Sequence, residues 1–355
     1  MALIGEKHIS NFTTAGRPTA INGTMYFDTT DSQLKAACNS TWYNAGCTYT
    51  IVDPDVCYVI VAGGGGGGGG NGGGGGGAGG VVVGSSTLGC NVWYCVHIGG
   101  GGGGAPSFYG VSNAGGNSKF ITTEACGGGR GSYLFPNGIQ ASGGGDGGSG
   151  GGGGQRCVNG GAAIAPGSQG SNGGTAGADE EYGAGGGGYA GIGGAGVYVN
   201  PPPNGVFCGG IGGTGQRFYT NTTYPLAGGG GGGSKFPAPA GYSLATATDG
   251  GAKGGNIDSA YVGQPATNDP AGRQNGRNAT ANTGGGGGGG PGDSPGTGNQ
   301  NGGSGVIFLF FPAPQYTICT STPTITISSQ IASPFGCCLT CVLGGSGCIC
   351  FHKTI

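Results

Sequence analysis

The chain has 355 residues, of which 99 are glycine and only 7% are charged, with a net charge of −2 at pH 7. So little charge excludes the basic patches that nucleic-acid binding requires and the charge that keeps disordered chains expanded. The glycines are clustered rather than placed at every third position, which excludes collagen, and the longest apolar run, Val306 to Phe311, is far shorter than the roughly 20 residues of a membrane helix.

From the N-terminus, residues 12 to 46 read as β-structure. Gly23 to Phe27 forms a short strand, Asp28 to Ser32 a polar turn, and strands start again at Gln33 to Lys35 and at Thr41 to Tyr43. Strands this short bury little surface on their own and gain by packing against copies of themselves. Met25, Phe27, Leu34, Trp42 and Tyr43 are the apolar positions available for such self-association.

Gly16, Arg17, Pro18, Gly23, Tyr26, Asp28, Thr29, Leu34, Lys35, Trp42 and Gly46 fall in a recognisable pattern. It closely resembles a small module of bacteriophage fibre and other virion proteins. The resemblance implies a homotrimeric fibre module over residues 1–48. The chain departs from it at Ala36-Ala37-Cys38, where the module normally carries an aromatic on its middle strand.

Residues 49–315 hold the glycine. Runs at 63–70, 72–77, 99–104, 150–154, 185–188, 228–233 and 284–290 are separated by segments with Tyr, Phe, Asn, Pro and Ser. A flexible linker does not need this many aromatic interruptions, so a folded polyglycine bundle is expected, with disordered low-complexity sequence as the alternative. Glycine can take the extended polyproline-II helix, with three residues per turn and about 3.1 Å rise, so an eight-residue run makes a rod of roughly 25 Å. It keeps its N–H and lacks a Cβ, so rods can lie side by side and exchange lateral N–H···O=C bonds. Ordering each residue costs roughly 1–2 kcal/mol, against about 1 kcal/mol per net hydrogen bond. Staples are therefore expected.

The region opens on Cys57-Tyr58-Val59-Ile60-Val61-Ala62 and closes on Ser304 to Phe311, two β-rich stretches able to pair in one sheet. VIVAGGGGGG at one end and GGSGVIFLFF at the other resemble the glycine-rich domains of phage tail-fibre proteins and of some receptor-kinase extracellular regions. That resemblance, over 57 to 311, implies polyglycine-II helices in a hexagonal bundle grafted on a β-sandwich. The predicted fold is mainly β and irregular, with essentially no α-helix.

The tail, 316–355, is cysteine-rich and carries an alternating stretch, Thr322 to Ser328. Cysteines stand at Cys38, Cys47, Cys57, Cys90, Cys95, Cys126, Cys157, Cys208, Cys319, Cys337, Cys338, Cys341, Cys348 and Cys350. All are disulfide candidates, of a connectivity that sequence does not give. Cys338-x-x-Cys341 with Cys348-x-Cys350 offers four thiolates to a metal as the alternative, and free thiols are a third.

Catalytic signatures are missing. Polyglycine satisfies G-x-G-x-x-G everywhere, and the glycines and Lys235 of 228–235 lack the phosphate-loop order. His8, His97 and His352 are scattered, and Glu180-Glu181 reads as a solvated acidic loop. No enzyme, cofactor, bound metal or membrane insertion is expected.

The expected function is a structural virion fibre or appendage on the virion surface, homotrimeric and joined to other virion proteins. Its loops would meet a glycan or protein of the host surface. Candidate contacts are Trp93, Tyr94, Phe108, Tyr109, Tyr133, Phe135, Tyr182, Tyr189, Phe218 and Tyr219, since rings supply contact area at low entropy cost. For each of them, packing over the bundle edge is the alternative. A filament or capsid-surface subunit without a receptor, and a glycine-rich ice-binding protein, are the competing functions.

Overall fold

A computed structural model of the chain describes residues 10–19, 25–30, 33–38, 41–48, 55–70, 72–89, 92–135, 142–156, 158–164, 169–177, 182–199, 206–216, 226–234, 245–257, 273–274, 276–290, 300–311, 316–320, 339–343 and 347–353. Among these residues the structure is strand and irregular segment, as expected, and the sole helix is a 3-10 turn at Thr14–Gly16. No helix among them is long and apolar enough to cross a membrane. The alternating stretch at 322–328 lies outside the described residues.

The N-terminal module is a four-stranded sheet in chain order: β1 (Ser10–Phe12), β2 (Met25–Asp28), β3 (Gln33–Cys38) and β4 (Thr41–Thr48). The three strands expected from sequence are present. The added β1 lies parallel to β2 and is too short for its alternation to register. The motif residues hold the module together. Asp28 is buried and accepts from the Thr14 hydroxyl at 2.8 Å, the Tyr26 hydroxyl at 3.0 Å and the Thr30 backbone N–H at 3.0 Å. The Trp42 ring meets Tyr26 edge-on at 4.6 Å and donates its indole N–H to Pro18 O at 3.0 Å.

Burial pushes the Asp28 carboxyl up, but these hydrogen bonds and the Lys35 charge outweigh it and hold the pKa below the ordinary 3.8. A depressed folded pKa contributes stability above the unfolded value and loses it as pH falls through the folded one. The module is therefore expected to loosen below about pH 3.8, read from Trp42 fluorescence. Asp28→Asn should remove that acid step, and an unchanged acid profile would contradict the assignment.

A two-layer sandwich follows. Its strands are β5 (Asp55–Val61), β6 (Val81–Thr87), β7 (Trp93–His97), β8 (Ser118–Phe120) and β9 (Thr123–Ala125). Two short hairpins come next: β10 (Val197–Val199) with β11 (Val206–Cys208), and β12 (Asn256–Ile257) with β13 (Arg273–Gln274). The last strands are β14 (Val306–Phe311), β15 (Tyr316–Thr320), β16 (Leu339–Leu343) and β17 (Gly347–Lys353).

One sheet runs β16-β14-β5-β6 and the other β15-β17-β7-β8-β9. The expected pairing of the two flanks is present: β5 lies antiparallel to β14, with Val61 opposite Val306 and Tyr58 opposite Leu309. The strands after residue 315 enter both sheets.

Continuous apolar sequence in β5 and β14 is what burial on two faces requires. Val56, Tyr58, Ile60, Ile307 and Leu309 face Val96, Phe120 and Ala125 of the second sheet. Val59, Val61, Val306, Phe308 and Phe310 face Ala78, Leu226 and Ala227, where glycine segments end.

The glycine segments prolong the strands. β5 runs on into 63–70, β7 into 99–105 and β9 into 126–132, whereas 72–80 leads back into β6 and 300–305 into β14. Their hydrogen bonds recur at every third residue. Gly63 and Gly66 donate to Gly116 and Asn113, Gly64 and Gly67 to Gly303 and Gln300, and Gly65 and Gly68 to Gly77 and Gly74. The same rod accepts from Gly102 and Ala105, from Gly128 and Gly131, and from Gly287 and Gly290.

Three donor and three acceptor directions give six neighbouring rods. This is hexagonal packing of a threefold helix. The rod 72–80 repeats it, bonding to 62–68, 126–132, 148–154, 183–188, 228–233 and 284–290. A Cβ at Gly67 would overlap Gly288 O, and one at Gly76 would overlap Gly65 O. The two central rods are joined through Gly70 (φ +105°) and Gly72 (φ +85°), a reversal that side chains resist.

The rods are not stapled by the described central cysteines. Cys57, Cys126 and Cys208 are free thiols, contrary to the expectation that they form disulfides. The reason is placement: Cys57 sits in β5, Cys126 starts an outgoing rod, and Cys208 ends a hairpin at the far end of the bundle. Burial pushes the Cys126 and Cys208 thiols up, with Glu124 adding to the shift at Cys126. Saturated peptide hydrogen bonds and the sandwich hold the rods instead.

Candidate functional site

Successive rods run alternately away from the sandwich and back, so their connections gather at two ends. The end away from the sandwich carries 105–110, 133–135 and 155–156 among its described connections. Gly69 lies against Ser107 and Phe108, and Gly70 against Leu134, which sets the first two loops side by side over the central reversal.

Each of these two loops presents a pair of rings. Phe108 and Tyr109 meet edge-on with centroids 4.7 Å apart, above a turn closed by Gly110 N–H donating to Ser107 O at 2.9 Å. Tyr109 is the more exposed ring of this pair. Tyr133 and Phe135 lie 5.3 Å apart at 67°. Arg130 places its guanidinium 5.6 Å from the Tyr133 ring centroid. The Tyr133 backbone is fixed twice by Ser142. Its N–H donates to Ser142 Oγ at 3.1 Å, and its carbonyl accepts from Ser142 N–H at 2.8 Å. Arg130 Nε is buried without a hydrogen-bond partner. Half-exposed rings beside a guanidinium form a stacking surface with one positive charge, which is chemistry for binding.

Four of the ten ring candidates are placed elsewhere in the described structure. Trp93 and Tyr94 are on β7, in the sandwich, rather than on bundle loops. Trp93 is 54% exposed, whereas Tyr94 packs on the sandwich core and accepts from Gly89 N–H at 2.7 Å. Tyr189 packs against the cluster at the bundle base. Tyr182 is 3% exposed, its ring closed over Gly177 and Gly196. These last three rings pack against the protein itself: Tyr94 on the sandwich core, Tyr189 at the bundle base and Tyr182 over two rod glycines. Phe218 and Tyr219 lie outside the described residues, as do Glu180 and Glu181.

Of the oligomerisation candidates, Trp42 is half-buried within its own module, and the side chains of Met25, Phe27, Leu34 and Tyr43 lie outside what is described. Arg130 and Ser142 were missed from sequence. A lone cation inside GGGRGSY was the available signal for Arg130, and nothing in the sequence marked Ser142. No group of three His, Cys, Asp or Glu among the described residues is placed to hold a metal.

A family model described as a glycine-rich domain matches residues 42–311. The chain belongs to that family. The match starts inside β4 and ends on the last residue of β14, so the glycine-rich domain takes in the sandwich strands β5 to β9 and the bundle, while the tail strands lie beyond it. No curated protein and no solved structure matches the chain.

Proposed function

We propose that the protein is a non-enzymatic virion fibre or appendage subunit, located on the virion surface, whose outer bundle loops contact a host glycan or protein. The observation that supports this reading most is the pairing of Phe108–Tyr109 with Tyr133–Phe135 and Arg130 at one end of a rigid bundle. The N-terminal resemblance to a fibre module supports the virion context. Removing both rings of the first pair, or Tyr133, should weaken adhesion of the full-length protein to its host surface by about fivefold or more, as for central aromatic anchors. Unaltered adhesion would defeat the receptor role. Electron microscopy of native particles bearing a label on this protein tests the location, and unlabelled particles would defeat the virion reading.

The module is proposed to trimerise and to join other virion proteins. Light scattering should then report three times 33.6 kDa for the full chain. A protein lacking 1–48 should keep its glycine-rich domain but lose that mass. A monomeric full-length chain would count against the trimer.

One observation favours ice binding as a second reading. The neighbouring outer rods 171–177, 191–197 and 209–215 are joined by Gly193 N–H to Asn172 O and Gly194 N–H to Ile211 O. They expose Asn172 and Thr175, Ile192 and Ala195, and Ile211 and Thr214, all three residues apart. That makes a regular face with a repeat of about 9 Å along each rod. Thermal hysteresis in a purified sample would move the assignment to this face.

A further inference from the structure

The five-stranded sheet brings together four cysteines that are far apart in sequence. Cys348 of β17 stands directly opposite Cys95 of β7, and Cys350 of β17 directly opposite Cys319 of β15. Directly opposed residues of an antiparallel pair have Cα atoms about 4.5 or 5.5 Å apart, and a disulfide spans about 4.4–6.8 Å. Both registers fall inside that window. Positions 348 and 350 are two apart on one strand, so they share a side of the sheet, and register puts 95 and 319 on that side too. It is the outer side: Cys95 is exposed along with Trp93 and His97, while the intervening Val96 is buried in the core.

The structure holds Cys95 as the reduced thiol, and we propose that oxidation closes Cys95–Cys348 and Cys319–Cys350 as two cross-strand disulfides that lock the C-terminal strand into the sandwich. The oxidant is a low-molecular-weight disulfide such as oxidised glutathione. One cysteine thiolate attacks it and expels a glutathione thiolate, and the opposed cysteine thiolate then displaces the second. Two protein thiols are oxidised to one S–S bond. The glutathione disulfide is reduced to two thiols, which take up the two protons. The first bridge closes a covalent ring around every glycine segment from 99–105 to 300–305. The second ties β15 to that ring.

A single zinc ion does not fit the same four residues. Cys95 and Cys319 are separated by two strand spacings and two residues of rise, roughly 12 Å between Cα atoms. Zn–S bonds of about 2.3 Å keep all sulfurs of one site within about 4.6 Å of each other, which two cysteine side chains do not bridge from that separation.

The test is peptide mapping of the full-length protein without reduction, after equilibration with oxidised glutathione. The expected result is two linked peptide pairs, 95 with 348 and 319 with 350. In Cys348→Ser, Cys95 should become fully alkylatable while the 319–350 pair persists. Alkylation of all four cysteines in the wild-type chain would overturn the proposal. So would a different pairing, one zinc per chain, or Cys95 remaining protected in Cys348→Ser.

Discussion

Replacing Gly287 by valine is expected to unfold the glycine-rich domain at temperatures where the parent is intact, at a cost above about 3 kcal/mol. Gly287 lies in 284–290, donates to Gly65 O at 2.9 Å and accepts from Gly76. A Cβ there would overlap Gln300 O and reach 2.9 Å from Gly67 N. Both obstacles are backbone, so no side chain can turn aside. Making room means displacing a rod that has its own six neighbours. Each bond broken leaves a buried peptide group unpaired, at roughly 1–3 kcal/mol. Gly100→Ala is the control. Gly100 is exposed, and a Cβ there meets nothing within 4 Å. Its stability should stay within about 0.5 kcal/mol of the parent, on either side. Thermal melting followed by circular dichroism compares the two, and equal melting temperatures for both variants would show that the rods are not close-packed.

The contrast between Gly287 and Gly100 also explains what sequence disclosed. The pure runs 63–70, 72–77 and 284–290 were legible because interior rods have neighbours on all sides and admit almost nothing but glycine. Outer rods have open sides, so 169–177, 191–197 and 209–215 carry Asn172, Thr175, Ile192, Ile211 and Thr214 and read as loops. The β5–β14 pairing was legible because both strands are buried on two faces and therefore uniformly apolar. β1 and the hairpin strands of two or three residues were too short to show a period. In the site, aromatic identity was visible but exposure was not. Tyr109 and Tyr182 look alike in sequence, yet one is 44% exposed and the other is shut over two glycines. Rod direction decides which loops share an end, and it depends on hydrogen bonds that local sequence does not encode.

Phe308→Ala is expected to cost about 3–5 kcal/mol and to loosen the sandwich and the bundle together. Phe308 is 1% exposed at the centre of β14, between Val59 of β5 and Val342 of β16 in register. Its face of the sheet packs on Ala78, Leu226 and Ala227, the ends of the rods 72–80 and 226–234. The rods gain little net free energy on their own, since about 1 kcal/mol per lateral bond barely meets the 1–2 kcal/mol cost of ordering each residue. Their order therefore depends on the apolar base, and a cavity there should propagate upward. Amide exchange is the discriminating measurement. The variant should lose protection at Gly229 to Gly232 as well as in β5 and β14, while Trp93→Ala, on the exposed side of β7, should lose neither. Protection lost from the strands alone would show that the bundle is stable without its base, and would assign its order to the lateral hydrogen bonds.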